Sequence, residues 1–314
     1  MIFSHFSEKI DQTLCKSYLL DDAVFWNRVA DALDRFAQLP HFAFYQNSAR
    51  YFIAQKDLYN SQKVFSGCIE YMRFSKVETS FLPLIVPALA GCTLAVAIKN
   101  QQQLGACEDQ IRDSFKSFSL WASRDTAGNV LGSTHLWFLH AYTGKIVRLG
   151  RLEFERILCP SPYFVVQRTN GELTCVSHFE EGRLLAAPGL PILNLHIPSG
   201  CRLCPDSVDN SIHQAESFFA KLGYPNRTIL CDSWLLDPAL ANILPAESNI
   251  LSFQKRFFVM DQSEESTAVS FMFGWDLPPN ADLEFLAQTT LQKNCAKYLK
   301  QQGKLHDTIG ILRI

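Results

Sequence analysis

The sequence has almost no excess of charge of either sign: 29 Lys and Arg stand against 31 Asp and Glu, for a net charge of -2. Without a broad basic field general binding of phosphate backbones or anionic lipid is not expected, so neither nucleic acid nor membrane is an expected partner, although a local basic patch stays open. A Gly-x-Ser-x-Gly elbow, which would present an exposed serine nucleophile, is absent. So are internal repeats and low-complexity tracts. Metal-type cysteine spacing occurs once, at Cys201 and Cys204; His213 lies nearby, but there is no second pair to complete a zinc site, and no metal is expected. The first residues, MIFSHFSEKIDQ, put Glu8 and Lys9 where a secretory leader needs an apolar run. The ten cysteines are therefore expected as reduced thiols in a cytoplasmic protein.

What is present describes a globular chain: 314 residues, 47% hydrophobic and 19% charged, longer than one core usually grows. Two domains are expected, with residues 1–142 helical and residues 143–314 built on strands. In the first, Val24, Trp26, Val29, Leu33 and Phe36 recur at helical spacing between Asp21 and Gln38, and Leu39-Pro40 closes that helix. Further helices are expected at Asn47 to Tyr59, Ser61 to Met72 and Cys107 to Phe118, with a short one around Thr134 to His140. Phe81 to Ile98 approaches membrane-spanning length, but Pro83, Pro87 and Gly91 interrupt it and no basic residues cluster beside it, so a buried helix is expected.

The turn-rich stretch Asp125 to Asn129 precedes the change of texture. Lys145 to Ile157 reads as one long strand, and Tyr163 to Arg168 and Glu172 to His178 flank Thr169-Asn170-Gly171 as a hairpin. In Ile192 to Pro198 alternation puts Leu193, Leu195 and Ile197 on one face and Asn194 and His196 on the other. A helix capped by Asp206 or Ser207, with Val208, Ile212, Ala215, Phe219 and Leu222 inward, runs to Gly223 and leads to a strand over Arg227 to Trp234. This β-loop-α-β crossover favours a parallel or splayed strand pair. Strands are also expected over Lys255 to Met260, Thr267 to Phe273 and Thr308 to Ile314, and helix over Leu283 to Gln301.

Four blocks, GRLEFE at Gly150 to Glu155, LHIP at Leu195 to Pro198, CDSWLLDPAL at Cys231 to Leu240 and SNILSF at Ser248 to Phe253, resemble the bacterial two-domain acyltransferase family. In that family a helical N-acyltransferase-type domain precedes a GNAT-like one, which implies an α+β fold: a helical N-terminal domain, then a GNAT-like mixed β-sheet domain flanked by helices. The resemblance covers most of residues 145–295; across the first domain it rests on layout. It implies transfer of an acyl group from acetyl-CoA or another acyl-CoA to an acceptor, often an amine. The thioester would lie between the strands over Leu193 to Pro198 and Arg227 to Trp234, and the pyrophosphate on the loop Ser199 to Ser207, with Ile197, Ser199, Gly200, Arg202 and Ser207 as the binding residues. Family members usually carry Q/R-x-x-G-x-G/A there. This loop reads SGCRLCPDS, with Gly200 its only glycine and Arg202 able to supply charge instead.

An attacking amine must lose a proton, and imidazole suits that task near neutral pH, so His196 is the candidate base; the alternative is a histidine hydrogen-bonded within the sheet. Asp232 could orient His196 or bind the amine, and Ser233 could donate to the leaving sulfur; both could instead serve as caps. Arg151 and Glu153, with Asn194 and Trp234, are candidates for binding the acceptor, a small molecule or peptide, although Arg151 and Glu153 could equally form an exposed strand pair. Trp121, Trp137, Trp234 and Trp275 read as packing residues, since no basic run interleaves them. Asp237 and Ser248 read as caps. Two rivals stand beside the transferase: a hydrolase using Cys231 or Ser233, and a non-catalytic small-molecule or acyl-CoA binding protein. Pairing of hairpin strands between subunits leaves a homo-oligomer open.

Overall fold

The computed structural model describes residues 10–75, 77–122, 136–179, 181–224, 228–274, 277–278 and 280–312. The expected turn over Asp125 to Asn129, Thr134, Arg227 and Trp275 lie outside them, as does the side chain of Trp121. Two compact units divide the chain, Met1–Arg148 and Leu149–Ile314.

The first unit is helical: α1 (Gln12–Tyr18), α2 (Ala23–Phe36), α3 (Phe42–Ala54), α4 (Leu58–Phe74), α5 (Ile85–Gln103), α6 (Glu108–Ala122) and α7 (Phe138–Tyr142). Aspartates start three of these helices, because a carboxylate at the N-cap accepts an amide the helix leaves unpaired: Asp11 from Leu14, Asp22 from Phe25 and Asp57 from Asn60. On α2 the inward stripe is Trp26, Val29, Ala32, Leu33 and Phe36; Val24, expected there, points to solvent. Each such large side chain contributes roughly 1.5–3 kcal/mol through burial. The long apolar segment becomes a 3-10 turn over Thr79–Leu84, where Pro83 denies an α-helical bond, followed by α5. By length and composition Thr79–Gln103 could cross a membrane; here α5 is packed against α1, α2, α3, α4, α6 and α7. Its polar Asn100 and Gln101 are buried, and their amide groups donate to the Ile53, Tyr142, Ala141 and Ile146 carbonyls.

The division falls within β1 (Ile146–Leu149), the first strand of a six-stranded sheet with the order β1-β2-β6-β7-β9-β8. Its other strands are β2 (Leu152–Leu158), β6 (Pro191–His196), β7 (Ile229–Ser233), β8 (Phe257–Gln262) and β9 (Thr308–Leu312). The single strand expected over Lys145 to Ile157 is thus broken at Gly150, whose φ of 69° turns the chain. A smaller sheet, β4-β3-β5, contains β3 (Phe164–Gln167), β4 (Leu173–Val176) and β5 (Arg183–Ala186). As expected, Thr169-Asn170-Gly171 joins β3 to β4, with Gly171 at φ 84°.

After β6 comes α8 (Pro205–Lys221), then β7, α9 (Asn249–Gln254), β8, α10 (Ala268–Phe273), α11 (Leu283–Leu286), α12 (Thr290–Lys300) and β9. Neither Asp206 nor Ser207 caps α8: the N-cap is Cys204 and Pro205 opens the helix, because proline fits the first helical position, where no amide partner exists. Val208, Ala215 and Phe219 face inward as expected, joined by Ser211 and Phe218, while Leu222 is exposed. Thr267 to Phe273, expected as a strand, is helical. Its first amides are satisfied by side chains, Ala268 N–H by Ser266 Oγ and Thr267 N–H by the Asp307 carboxylate, which removes the need for a strand partner. Asp237 and Ser248 act as caps, accepting from Ala239 and Ile250.

Strand register gives the large sheet two chemically distinct faces. One carries Ile157, Glu155 and Glu153 of β2, Ile192, Asn194 and His196 of β6, Leu230 and Asp232 of β7, and Ile309 and Ile311 of β9. At one end of this face Ile192, Leu230 and Ile311 pack against Val165, Leu185 and Ala186 of the smaller sheet. Toward the other end the same face becomes polar.

Candidate active site

The polar end is built where β6 and β7 separate. These parallel strands pair at Leu193↔Ile229 and Asn194↔Leu230, and the pairing stops there. Each strand nevertheless continues, β6 laddered to β2 as far as His196 and β7 laddered to β9 as far as Ser233. In a parallel ladder the next rung would join the Leu195 carbonyl to the Asp232 amide; with no rung there, both groups face the gap. Among the described residues the gap therefore has main-chain polar groups without a ladder partner on its walls, and flanking strands that hold it open.

His196 stands at the mouth of this gap. Its Nε2 lies 3.2 Å from Glu155 Oε2 and 3.1 Å from Asn194 Nδ2, and both histidine and glutamate side chains are mostly buried. Register explains the meeting: Glu155 lies opposite Asn194, and Glu153 opposite His196, on one face. Glu153 itself is only 2% exposed. The carboxylate hydrogen-bonded to the imidazole steadies the ring.

Asp232 is on the same face and keeps solvent contact. Desolvation pushes its carboxyl above the ordinary carboxylate range, the nearby Asp307 carboxylate adds to the rise, and His196 pulls it partly back. Glu155 is a hydrogen-bonded carboxylate partner of His196, and the imidazole acts on Asp232 electrostatically. Ser233 Oγ accepts from the Leu235 amide at 3.1 Å and so caps the 3-10 turn Trp234–Leu236. Strand β7 ends before Trp234, which packs with Leu240, Ile243, Leu251 and Cys295. Burial drives the Cys231 thiol far above its usual range, which disqualifies it as a thiolate nucleophile.

The loop from Ile197 to Cys204 joins β6 to α8. Ile197 is half-buried, while Ser199, Gly200 and Arg202 are exposed. Ser207 Oγ donates to the Cys204 carbonyl at 2.7 Å, within the first turn of α8. Arg151 reaches this loop, contrary to its expected place beside Glu153: Nη2 donates to the Cys201 carbonyl at 2.8 Å and Nε to the Arg202 carbonyl at 3.1 Å. Its own amide donates to Ser211 Oγ of α8 at 2.7 Å.

A profile of the GNAT-like C-terminal domain family matches residues 146–312. The chain belongs to this family. Solved structures similar in fold include an acyltransferase in complex with decanoyl-CoA, at 18% identity and a TM-score of 0.64, covering 96% of this chain and 86% of that one. An acyltransferase with decanoyl-CoA and teicoplanin matches at 17% identity and TM-score 0.63, covering 99% and 91%, and one with CoA and 10C-teicoplanin at 18% and 0.62, covering 98% and 88%. No curated protein matches the chain by sequence. Within this GNAT-like domain, the register of β2 against β6 brings Glu153, Asn194 and His196 together, and β7 adds Asp232 on the same face. Trp234 and Ser207 are set apart by packing and by a local hydrogen bond. Glu155 was missed by sequence reasoning, although its alternation with Glu153 in GRLEFE was a usable signal.

Proposed function

We propose that the protein transfers an acyl group from an acyl-CoA to an amine of a small-molecule or peptide acceptor, by direct attack on the thioester. The observation that carries this reading is the parting of β6 from β7 beyond Asn194↔Leu230 while both strands stay laddered on their outer sides. A pantetheine arm is an extended amide chain, and the unpaired Leu195 carbonyl and Asp232 amide are suitable partners for it. Family membership and the fold shared with acyltransferases bound to decanoyl-CoA support the same donor.

In the reaction, the acceptor nitrogen forms a C–N bond to the thioester carbonyl carbon, the C–S bond breaks, and the sulfur leaves as the CoA thiolate, which takes a proton from solvent to become the thiol. His196 takes the proton lost by the nitrogen at Nδ1, while its Nε2–H donates to Glu155, which stabilises the resulting imidazolium. Asp232 and Glu153 line the acceptor side. Ile197, Ser199, Gly200 and Arg202 belong to the phosphate loop, with Ser207 behind it. The helical unit is read as an N-acyltransferase-type domain, and the setting as cytoplasmic, consistent with ten free cysteines. A small-molecule acceptor, with neither nucleic acid nor membrane as partner, belongs to the same reading.

Thermal denaturation with thioesters from acetyl-CoA to decanoyl-CoA tests the proposal, because a ligand bound only by the native state raises Tm. Stabilisation by at least one thioester is expected, followed by CoA thiol release when an amine panel is added. No stabilisation across the series would end the acyl-CoA reading; stabilisation without turnover on any amine would leave a binding protein.

A further inference from the structure

The loop assigned above to the pyrophosphate has a single glycine, so its amides need another means of facing a ligand. We propose that Arg151 supplies it: as a positioning residue, it turns the carbonyls of Cys201 and Arg202 toward the protein so that the next two amides face outward as an anion cradle. This inference rests on the acyl-CoA reading and deepens it. The Arg151 residue is 8% exposed, and its Nε and Nη2 hold the two successive carbonyls at 3.1 and 2.8 Å. In a trans peptide the N–H points opposite to the C=O, and the described chain has no cis bond. Gripping the carbonyls of Cys201 and Arg202 therefore aims the N–H groups of Arg202 and Leu203 away from Arg151. Among the described residues neither amide has a protein acceptor. Two successive outward amides just ahead of the 17-residue helix α8 form the kind of concavity that binds phosphate oxygens.

The arginine is itself held in place. Its amide is fixed by Ser211 Oγ at 2.7 Å, and Gly150 before it has φ 69°, where a Cβ would stand only 2.9 Å from the same hydroxyl. The turn between β1 and β2 thus sets the arginine, and the arginine sets the loop. Glycine-rich loops expose amides through backbone freedom; here a guanidinium in the neighbouring turn achieves it by direct grip.

The test combines amide exchange with binding. In the wild type, CoA should slow exchange at Arg202 and Leu203. In Arg151→Met, exchange across Cys201 to Ser207 should quicken without ligand, and the Kd for CoA should rise roughly tenfold, the scale of one charged hydrogen bond. Binding of an S-acyl pantetheine, which lacks the pyrophosphate, should be unchanged, and Arg151→Lys should recover part of the CoA affinity. Equal weakening of both ligands would reduce Arg151 to a support of the fold and overturn the proposal. So would CoA bound to the wild type with Arg202 and Leu203 unprotected, a result that needs no variant to fold. If the wild type binds no CoA, the acyl-CoA reading fails; unchanged loop exchange in Arg151→Met defeats the positioning role on its own.

Discussion

Replacing Glu155 by glutamine removes a charge while keeping the side chain's shape, and so isolates the contribution of the carboxylate to His196. The two groups meet at 3.2 Å, with side chains 15% and 22% exposed. A hydrogen bond to a charged group contributes about 1.5–3 kcal/mol, and the remaining solvent contact favours the lower half of that range. Because the imidazole gains its charge during proton transfer, the loss should fall on the transition state. A value of about 1.5–2 kcal/mol lowers kcat roughly ten- to thirtyfold with little change in KM. His196→Ala should cost roughly 10²- to 10⁴-fold, the range of general base catalysis. CoA thiol release, measured with the best acceptor from the amine panel, reads both. The double variant decides the mechanism: if Glu155 acts through His196, adding Glu155→Gln to His196→Ala costs nothing further. A full second loss in the double variant would refute the coupling, and a Glu155→Gln enzyme with unchanged kcat would refute the role altogether.

Three further outcomes follow from the second unit. Asp237 is 1% exposed and accepts from Ala239 N, His306 N and His306 Nδ1, so Asp237→Ala should cost about 2–4 kcal/mol, read as a lower midpoint in urea; a loss under 0.5 kcal/mol would contradict its place as a hub. Gly150→Ala must place a Cβ at positive φ and 2.9 Å from Ser211 Oγ, and should destabilise by about 1–2 kcal/mol, with a wild-type melting curve as the contrary result. Asp232 has a raised folded pKa, so its contribution to stability is complete below the unfolded pKa and is lost as pH rises through the folded one. Asp232→Asn should therefore be more stable than wild type at neutral pH and lose that advantage in acid; an advantage equal at both pH values would exclude titration as its source.

Local signals carried much of this fold in the sequence. The stripe on α2, the Asn170-Gly171 hairpin and the β6-α8-β7 crossover each depend on residues near in sequence, where periodicity and turn chemistry are direct readings of geometry. Thr267 to Phe273 misled because its β-branched and aromatic residues suit a strand, while the group that settles it as a helix start is Asp307, 40 residues away. The site divided along the same line. Alternation placed Asn194 and His196 on one face, but which carboxylate meets them is a matter of register between β2 and β6, and register is a long-range fact. Arg151 was assigned by alternation to a strand it does not belong to, since Gly150 turns the chain and sends its guanidinium to the loop.

The gap and the polar cluster share a cause. A parallel pair that opens in the middle of a sheet would leave two edges prone to zip shut, unless each edge strand is fixed by its other neighbour. Here β2 holds β6 through six consecutive partners ending at His196, and β9 holds β7 through four ending at Ser233, both anchored in antiparallel ladders that outlast the parallel one. Beyond the last shared rung, Asn194↔Leu230, no side chain needs to be apolar on account of packing between the two strands, so His196 and Asp232 can occupy the face that Ile192 and Leu230 fill earlier along each strand. The change from aliphatic to titratable residues along that face therefore coincides with the point where β6 and β7 part, and a substitution that re-pairs them should close the slot and silence the chemistry together.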